Sequence, residues 1–552
     1  MNQYRLVNGI GSIISNRILL AHQNVTSTDD SLFSWTNGLT LSEYGSLETT
    51  VQCVGPLYNQ SCLYKNLYYV NKTFLILIVN GRTLPPLEVR YNAFGLWDNS
   101  PTKYEFPSYK QLDRFVRQIA NPMIIPDVTV FFSQSWHYNI AHALFDGLYP
   151  AYLALIRFTP RHLHPFRLLV HIDPCNLCWS EDVYSRFAGL GIIKLNVLER
   201  MSTERWYMFD ELIMGTGNMC QRCIQPNYQL PGGIELNGSK LFRDRMYKQH
   251  GLFLPTTRQK NSSEGRHPRY PLNAYIIDNK RFNENDRKEI YDAINEINNY
   301  TNTYLNILRN NIQQLEWPLV RISYLSYNLV KTQYNSSVQF NTTSIDSRPP
   351  AYELTENDFM AQLRKVQLMD IHISGPGTGQ FYQVFLPDGS VTINLGAIRP
   401  WPEKNPKKMY TSFFEEYLTS GTPYIKGLYY PMNKRWKGIK KEEIIKLVRR
   451  AAHMIMNGFS IPVNPRDNLA SDGQLFTEMC EKDKGFCNLV TIRSGKNHFA
   501  CTDVFAEDII HEYKQWNIDG YMDGNKTIRC PLNRTLLREL RQKYGIYHYV
   551  DS

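Results

Sequence analysis

The sequence predicts an α/β protein made of two doubly wound, Rossmann-like units that face each other, followed by a cysteine-containing C-terminal extension. Three observations carry that prediction. Strand and helix patterns alternate through the first 258 residues, they alternate again in a second series up to about residue 400, and the segment between, QKNSSEGRHPRYPLN (259–273), has linker composition. A chain of 552 residues also exceeds what one hydrophobic core ordinarily serves. The expected segments are therefore 1–258, an N-terminal α/β domain, and 259–400, a second α/β domain. After them come 401–460, a helical segment packing back on the core, and 461–552, an extension pinned by disulfides.

The elements follow in order. In the first unit TFLILIVNG, VTVFF, FRLLVHID and RWYMFDELIMGTG read as buried strands, because β-branched and aromatic residues dominate short apolar runs. SWHYNIAHALFDGLYPAYLALI (135–156) reads as a helix apolar enough to be core, with His142 and Asp146 buried together on one face. In the second unit NAYIIDNKR is a strand, DRKEIYDAINEINNY an amphipathic helix, LVRISYL a strand and TENDFMAQLRKVQLM a helix capped by Thr355. DIHISGPGTG then forms a strand and glycine loop, and SVTINLG the next strand.

Composition excludes some classes. With 43% hydrophobic and 20% charged residues the chain is globular rather than disordered. No window holds 18 consecutive apolar residues, so no membrane span is expected. The net charge of +10 concentrates in NKRWKGIKKEEIIKLVRRAAH (433–453), where Ile439, Ile444, Ile445, Leu447 and Val448 make an apolar stripe. That pattern favours the solvated face of an amphipathic helix over a nucleic-acid groove, and nucleic acid is not an expected partner.

Ten cysteines in local groups and ten Asn-x-Ser/Thr sequons favour disulfides in a secretory lumen or outside the cell. The alternative is a cytoplasmic chain with reduced thiols. The N-terminal stretch makes a poor signal peptide, because Asn8, Asn16 and Arg17 interrupt its apolar patches. Two CxxC pairs, Cys175/Cys178 and Cys220/Cys223, also fit a four-thiolate zinc site, although their separation of 41 residues is longer than most zinc ribbons use.

Two stretches carry chemistry. HISGPGTGQFYQVFLPDGSVTINLG (372–396) delivers Ser374, Gly375, Gly377, Thr378, Gly379 and Gln380 where a strand ends and a helix begins, a setting in which glycines admit a close ligand and N–H groups favour an anion. Lys280 and Arg281, at the end of the preceding strand, would project into the same crevice and suit a diphosphate. His142 and Asp146, with Asn139 one turn earlier, would form a general base. No Asp-x-Asp occurs, so no divalent metal is expected on the ligand.

NIAHALFDGLYP resembles the N/Y-x-x-H-x-x-x-D-x-L-P segment of glycosyltransferase family 61, and ISGPGTGQFYQVFLPDGSVTINL is similar to that family's glycine block. The order and spacing agree between about 131 and 456. The resemblance implies a GT-B fold and an inverting, metal-independent transfer of a sugar from a nucleoside diphosphate, of the UDP class, to a hydroxyl of a glycan or glycoprotein. It implies Asp146 as base oriented by His142, and Lys280, Arg281, Ser374, Gly375, Gly377, Thr378, Gly379 and Gln380 on the donor. Asn139 and Trp136 would lie on the acceptor side. Pro376, Gln380, Phe381 and Asn394 depart from the family pattern. Pro376 favours the alternative, a non-catalytic glycan-binding or structural protein that keeps the GT-B shell.

Overall fold

The computed structural model describes residues 40–55, 60–91, 101–134, 137, 139–158, 164–173, 179–203, 205–216, 228–229, 235–236, 238–255, 271–279, 281–308, 317–325, 359–375, 377–399, 408–410, 424–435, 437–459, 471–483, 521–523, 526–528 and 533–545. It is an α/β structure whose two large sheets are one mixed and one parallel, beside three two-stranded antiparallel ribbons among the described residues.

The first sheet contains β1 (Thr50–Val54), β2 (Ser61–Val70), β3 (Thr73–Val79), β4 (Thr102–Phe106), β5 (Met123–Gln134), β6 (Phe166–Ile172), β7 (Gly189–Lys194) and β8 (Tyr207–Met214). Its parallel half runs β7-β6-β5-β8, so the strand that comes first in the chain lies inside and β8 returns to its other side. β2 joins β8 antiparallel and carries the β3–β4 edge outward, while β1 pairs with the start of β2. A cross-strand disulfide joins Cys53 to Cys62, which are register partners. The four CxxC cysteines lie outside the described residues.

The second sheet is wholly parallel. β9 (Leu272–Ile277), β10 (Val320–Leu325), β11 (Ile371–Ser374), β12 (Val391–Asn394) and β13 (Lys426–Tyr429) lie in the order β10-β9-β11-β12-β13. Period-two alternation sorts β9 between two cores. Leu272, Ala274 and Ile276 face one cluster with helices α5 (Glu284–Leu308) and α7 (Lys441–Asn457), whereas Ile277 joins the cluster that the first unit builds.

That second cluster is continuous across the two units. It takes in α1 (Tyr149–Ile156), α2 (Trp179–Ala188) and α4 (Gly238–Gln249) of the first unit and α6 (Phe359–Val366) of the second, with α3 (Leu195–Met201) on the opposite face of the first sheet. Arg243 of α4 donates to the Leu386 carbonyl at 2.9 Å and to Asp388 at 2.6 Å, and Tyr247 donates to the Phe385 carbonyl at 2.7 Å. Burial alone would raise the Asp388 carboxyl, but Arg243 and Lys240 outweigh it and hold the group below its ordinary value.

Two sequence expectations change. Leu272, read as part of a linker, belongs to β9, because it is wholly buried in the sheet core. The second sheet does not stop near residue 400: β13 pairs with β12, and α7 packs on the same core through Ile444, Ile445, Leu447 and Val448. The side chains of the cysteines expected to pin the C-terminal extension lie outside the described ones, and what is described of the extension packs on the core. α8 (Ser471–Lys482) and α9 (Arg534–Tyr544) insert Leu475, Met479, Leu537 and Leu540 into the shared cluster. Thr355, the expected cap of α6, lies outside the described residues.

The basic run behaves as the apolar stripe predicts. All five stripe residues are buried, and Lys440 and Lys441 pair with Glu289 and Glu296 of α5. Arg435, fully buried, donates to Asp286 at 2.9 Å and to the Leu395 carbonyl at 3.0 Å. Asp286 also accepts from the Ile439 N–H and closes a reciprocal cap with Asn283 at the start of α5. Removing one partner of such a pair strands a buried charge. Asp286→Ala should therefore cost about 3–5 kcal/mol of stability in urea unfolding, while Lys440→Ala, at an exposed pair, should leave the midpoint close to wild type.

Candidate active site

The first site element follows β5. Asn139 accepts the Ala141 N–H at 2.9 Å through its side chain and so caps the helix that begins there. The helix then widens: His142–Leu148 is π-helical, and the Tyr149 N–H reaches the Leu144 carbonyl five residues back. Such π turns recur at functional sites. Gly147 permits this one, since a Cβ there would lie 2.9 Å from the Phe132 ring on β5. Tyr184 donates to the Ala143 carbonyl at 3.0 Å and supports the turn from α2.

Within the turn, His142 Nδ1 hydrogen-bonds Asp146 Oδ2. The expectation that both would be buried holds for one of them. The Asp146 side chain is 3% exposed but that of His142 is 36% exposed. Burial, helped by the nearby Asp146 charge, holds the Tyr184 phenol well above its ordinary range, so it stays neutral.

A residue that sequence reasoning passed over braces the loop before this turn. His137, fully buried, donates from Nε2 to the Asp173 carbonyl at 2.8 Å and accepts from the Ser180 hydroxyl at Nδ1, also at 2.8 Å. Burial lowers its pKa and keeps the ring neutral. A histidine three residues past a strand end, in a stretch otherwise apolar, was the available signal. Trp136 lies outside the described residues.

The second site element follows β11. Gly375 packs against β9's exit, where a Cβ would lie 2.7 Å from Phe282 and 2.9 Å from Asn279. Gly377 has φ +119° and ψ −156°, a region essentially closed to other residues. A Cβ on it would stand 2.5 Å from an Arg281 guanidinium nitrogen. Arg281 thus lies on the glycine loop, as expected, its N–H held by the Asn279 side chain at 2.9 Å. Lys280 and Pro376 lie outside the described residues.

The helix expected after the loop is a 3₁₀ segment, Thr378–Phe385. Ser374 donates to Gln380 Oε1 at 2.8 Å, and Gln380 donates on to Gln383 at 3.2 Å, all three buried. Ser374 and Gln380, assigned to a ligand on sequence, are spent on holding the loop. Thr378 and Arg281 are the partly exposed side chains of this element. His372 on β11 completes it: Nε2 donates to the Gly379 carbonyl at 3.1 Å and Nδ1 accepts from Thr392 at 2.9 Å.

Sequence reasoning also passed over a network beneath Arg281. Asp278, buried at the end of β9, accepts from Tyr324 at 2.6 Å, from Arg287 at 3.1 Å and from the Asn279 N–H at 2.9 Å. It sets the exit of β9 and with it the base of Arg281.

The topology relates the two elements. In the first sheet the strand order reverses between the parallel neighbours β5 and β8, and in the second between β9 and β11. In open α/β sheets such switch points, at the carboxyl ends of the strands, are where ligands bind. His142 and Asp146 follow β5; Arg281 follows β9 and the glycine loop follows β11. Phe145, inside the π turn, stacks on Phe381 of the 3₁₀ segment with ring centroids 4.7 Å apart. Phe381 is one of the positions that depart from the family-61 pattern, and it serves this contact between the units.

Among the described residues no cluster of three or more histidine, cysteine or acidic side chains could hold a metal, and no helix is long and apolar enough to cross a membrane. No protein-family model matches the chain, and no curated protein matches it.

Two outcomes follow from this geometry. Gly377→Ala should cost about 1–3 kcal/mol and raise amide exchange across 374–380, because the new Cβ meets Arg281 as well as a closed backbone region. Burial pushes His372 down to about 4 from 6.5. The unfolded chain then takes up the proton first, so the contribution of His372 is complete above pH 6.5 and is lost as pH falls toward 4. Urea midpoints should drop across that window, and His372→Gln should flatten the drop while lowering the midpoint at pH 7.

Proposed function

We propose that this chain is an inverting glycosyltransferase of the family-61 kind, with a GT-B arrangement of its two α/β units. It moves a sugar from a nucleoside-diphosphate donor, of the UDP class, to a hydroxyl of a glycan or glycoprotein. The observation that carries this reading is the pairing of switch points: a histidine–aspartate pair at one and a glycine loop with an arginine at the other, joined by the Phe145–Phe381 stack.

In this reading Arg281 binds the diphosphate and neutralises the charge that grows as it leaves, a task for which a guanidinium is suited by its forked donors. Gly375 and Gly377 let the backbone approach the phosphates, and the start of the 3₁₀ segment adds N–H groups. The His142–Asp146 pair removes the proton from the acceptor. No divalent metal is needed on the donor, and the cysteines and sequons suit work in a secretory lumen, as the Cys53–Cys62 bond allows.

The test is a thermal-shift series of the purified chain with UDP, GDP, CMP and their sugars, with and without EDTA. A ligand at 100 times its dissociation constant adds about 2.7 kcal/mol of stability. A shift with one nucleotide that survives EDTA and is lost in Arg281→Ala is the expected result. Saturable binding with no turnover on any acceptor would return the non-catalytic reading, and no shift at all would remove both.

A further inference from the structure

We propose that His142 is the group that takes the proton from the acceptor and that Asp146 is its positioning residue, the reverse of the assignment that the family resemblance implies. The proposal rests on the transfer reading given above for the reaction it serves, and on the pair's own geometry for the roles.

The Asp146 side chain is 3% exposed, whereas that of His142, bonded to it through Nδ1, is 36% exposed. Of the two, His142 is the one with surface open to a substrate hydroxyl. An ionised carboxylate only accepts hydrogen bonds, so its contact with Nδ1 requires the ring proton to sit on Nδ1. The lone pair of the neutral ring is then on Nε2, the atom farther from Asp146. This is the arrangement in which an aspartate selects the tautomer and steadies the charge of a histidine base.

The surroundings hold the pair in place from behind. Asn139 caps the turn, Tyr184 takes the Ala143 carbonyl, Gly147 seats on Phe132 and Phe145 is clamped on Phe381. Tyr184, neutral through burial, faces Asp146 from α2, and Glu181 of the same helix acts on Tyr184.

The step balances without another reagent. The acceptor O–H proton moves to Nε2 as its oxygen forms a bond to the anomeric carbon. The bond from that carbon to the diphosphate breaks, and the nucleoside diphosphate leaves with the electron pair. The imidazolium, paired with Asp146, then gives its proton to water.

Two measurements on the full chain separate this proposal from the reading it serves. The first needs no turnover: ¹⁵N-histidine NMR, with diethylpyrocarbonate labelling mapped by mass spectrometry, on wild type and Asp146→Asn. The expected result is a neutral His142 ring protonated at Nδ1 and readily labelled at Nε2, and a shift toward the other tautomer with slower labelling in Asp146→Asn. A ring protonated at Nε2 in the wild type overturns the proposal whether or not the protein turns over a donor.

The second is release of UDP from UDP-sugars with a panel of hydroxyl acceptors. His142→Gln should lose about 10²- to 10⁴-fold in kcat with the donor KM little changed, and Asp146→Asn should shift the acid limb of the kcat/KM profile. If His142→Gln keeps wild-type turnover while Asp146→Asn loses it, the roles stand as the resemblance implies and the proposal fails. If the NMR result holds but the wild type releases no nucleotide from any donor, the transfer reading fails and the tautomer assignment survives.

Discussion

The stack of Phe145 on Phe381 is the contact on which the arrangement of the site depends. Each ring belongs to a segment that follows a strand at a switch point, so one apolar contact sets the distance between two polar elements. It does not act alone: Phe242 and Phe385 surround it, and the cluster continues through α1, α2, α4 and α6. Apolar burial is non-directional and strong in sum, and the directional bonds of Arg243 and Tyr247 to the segment after the glycine loop supply the register that burial lacks.

Two buried histidines solve the same problem in the two units. His137 and His372 each donate from Nε2 to a carbonyl, of Asp173 and of Gly379, and each accepts a hydroxyl at Nδ1, from Ser180 and from Thr392. A neutral imidazole has one donor and one acceptor on opposite sides of a rigid ring, so it can tie a loop to a neighbouring element without a buried charge. Burial lowers both pKa values and keeps them in that state. His142, partly exposed and bonded to a carboxylate, is in the contrasting environment. Its position five residues from His137 does not separate a structural histidine from the more exposed one.

The period of the apolar pattern made the elements legible. Strands β3, β5, β6, β8, β9, β10, β11 and β12 fall where their runs of β-branched and aromatic residues predict, and the stripe of α7 is buried as its spacing requires. The glycine loop and Arg281 were legible as neighbours because each ends a strand of one parallel sheet. The inward use of Ser374 and Gln380 was not: a serine and a glutamine six apart do not announce that they bond to each other. Nor was the edge strand β13, whose residues KGLY lack the β-branched residues that mark the equally short β11 and β12.

By itself the sequence determined two α/β units, the pair His142 and Asp146, and a glycine loop after a buried strand, since these depend on spacing along the chain. The tertiary structure decided which of the pair faces outward, which polar side chains of the loop are consumed by it, and that the units share one core. Those outcomes depend on what packs against each residue from segments more than a hundred positions away, as Phe381 does on Phe145 and Arg435 on Asp286. Local pattern carries no record of such partners.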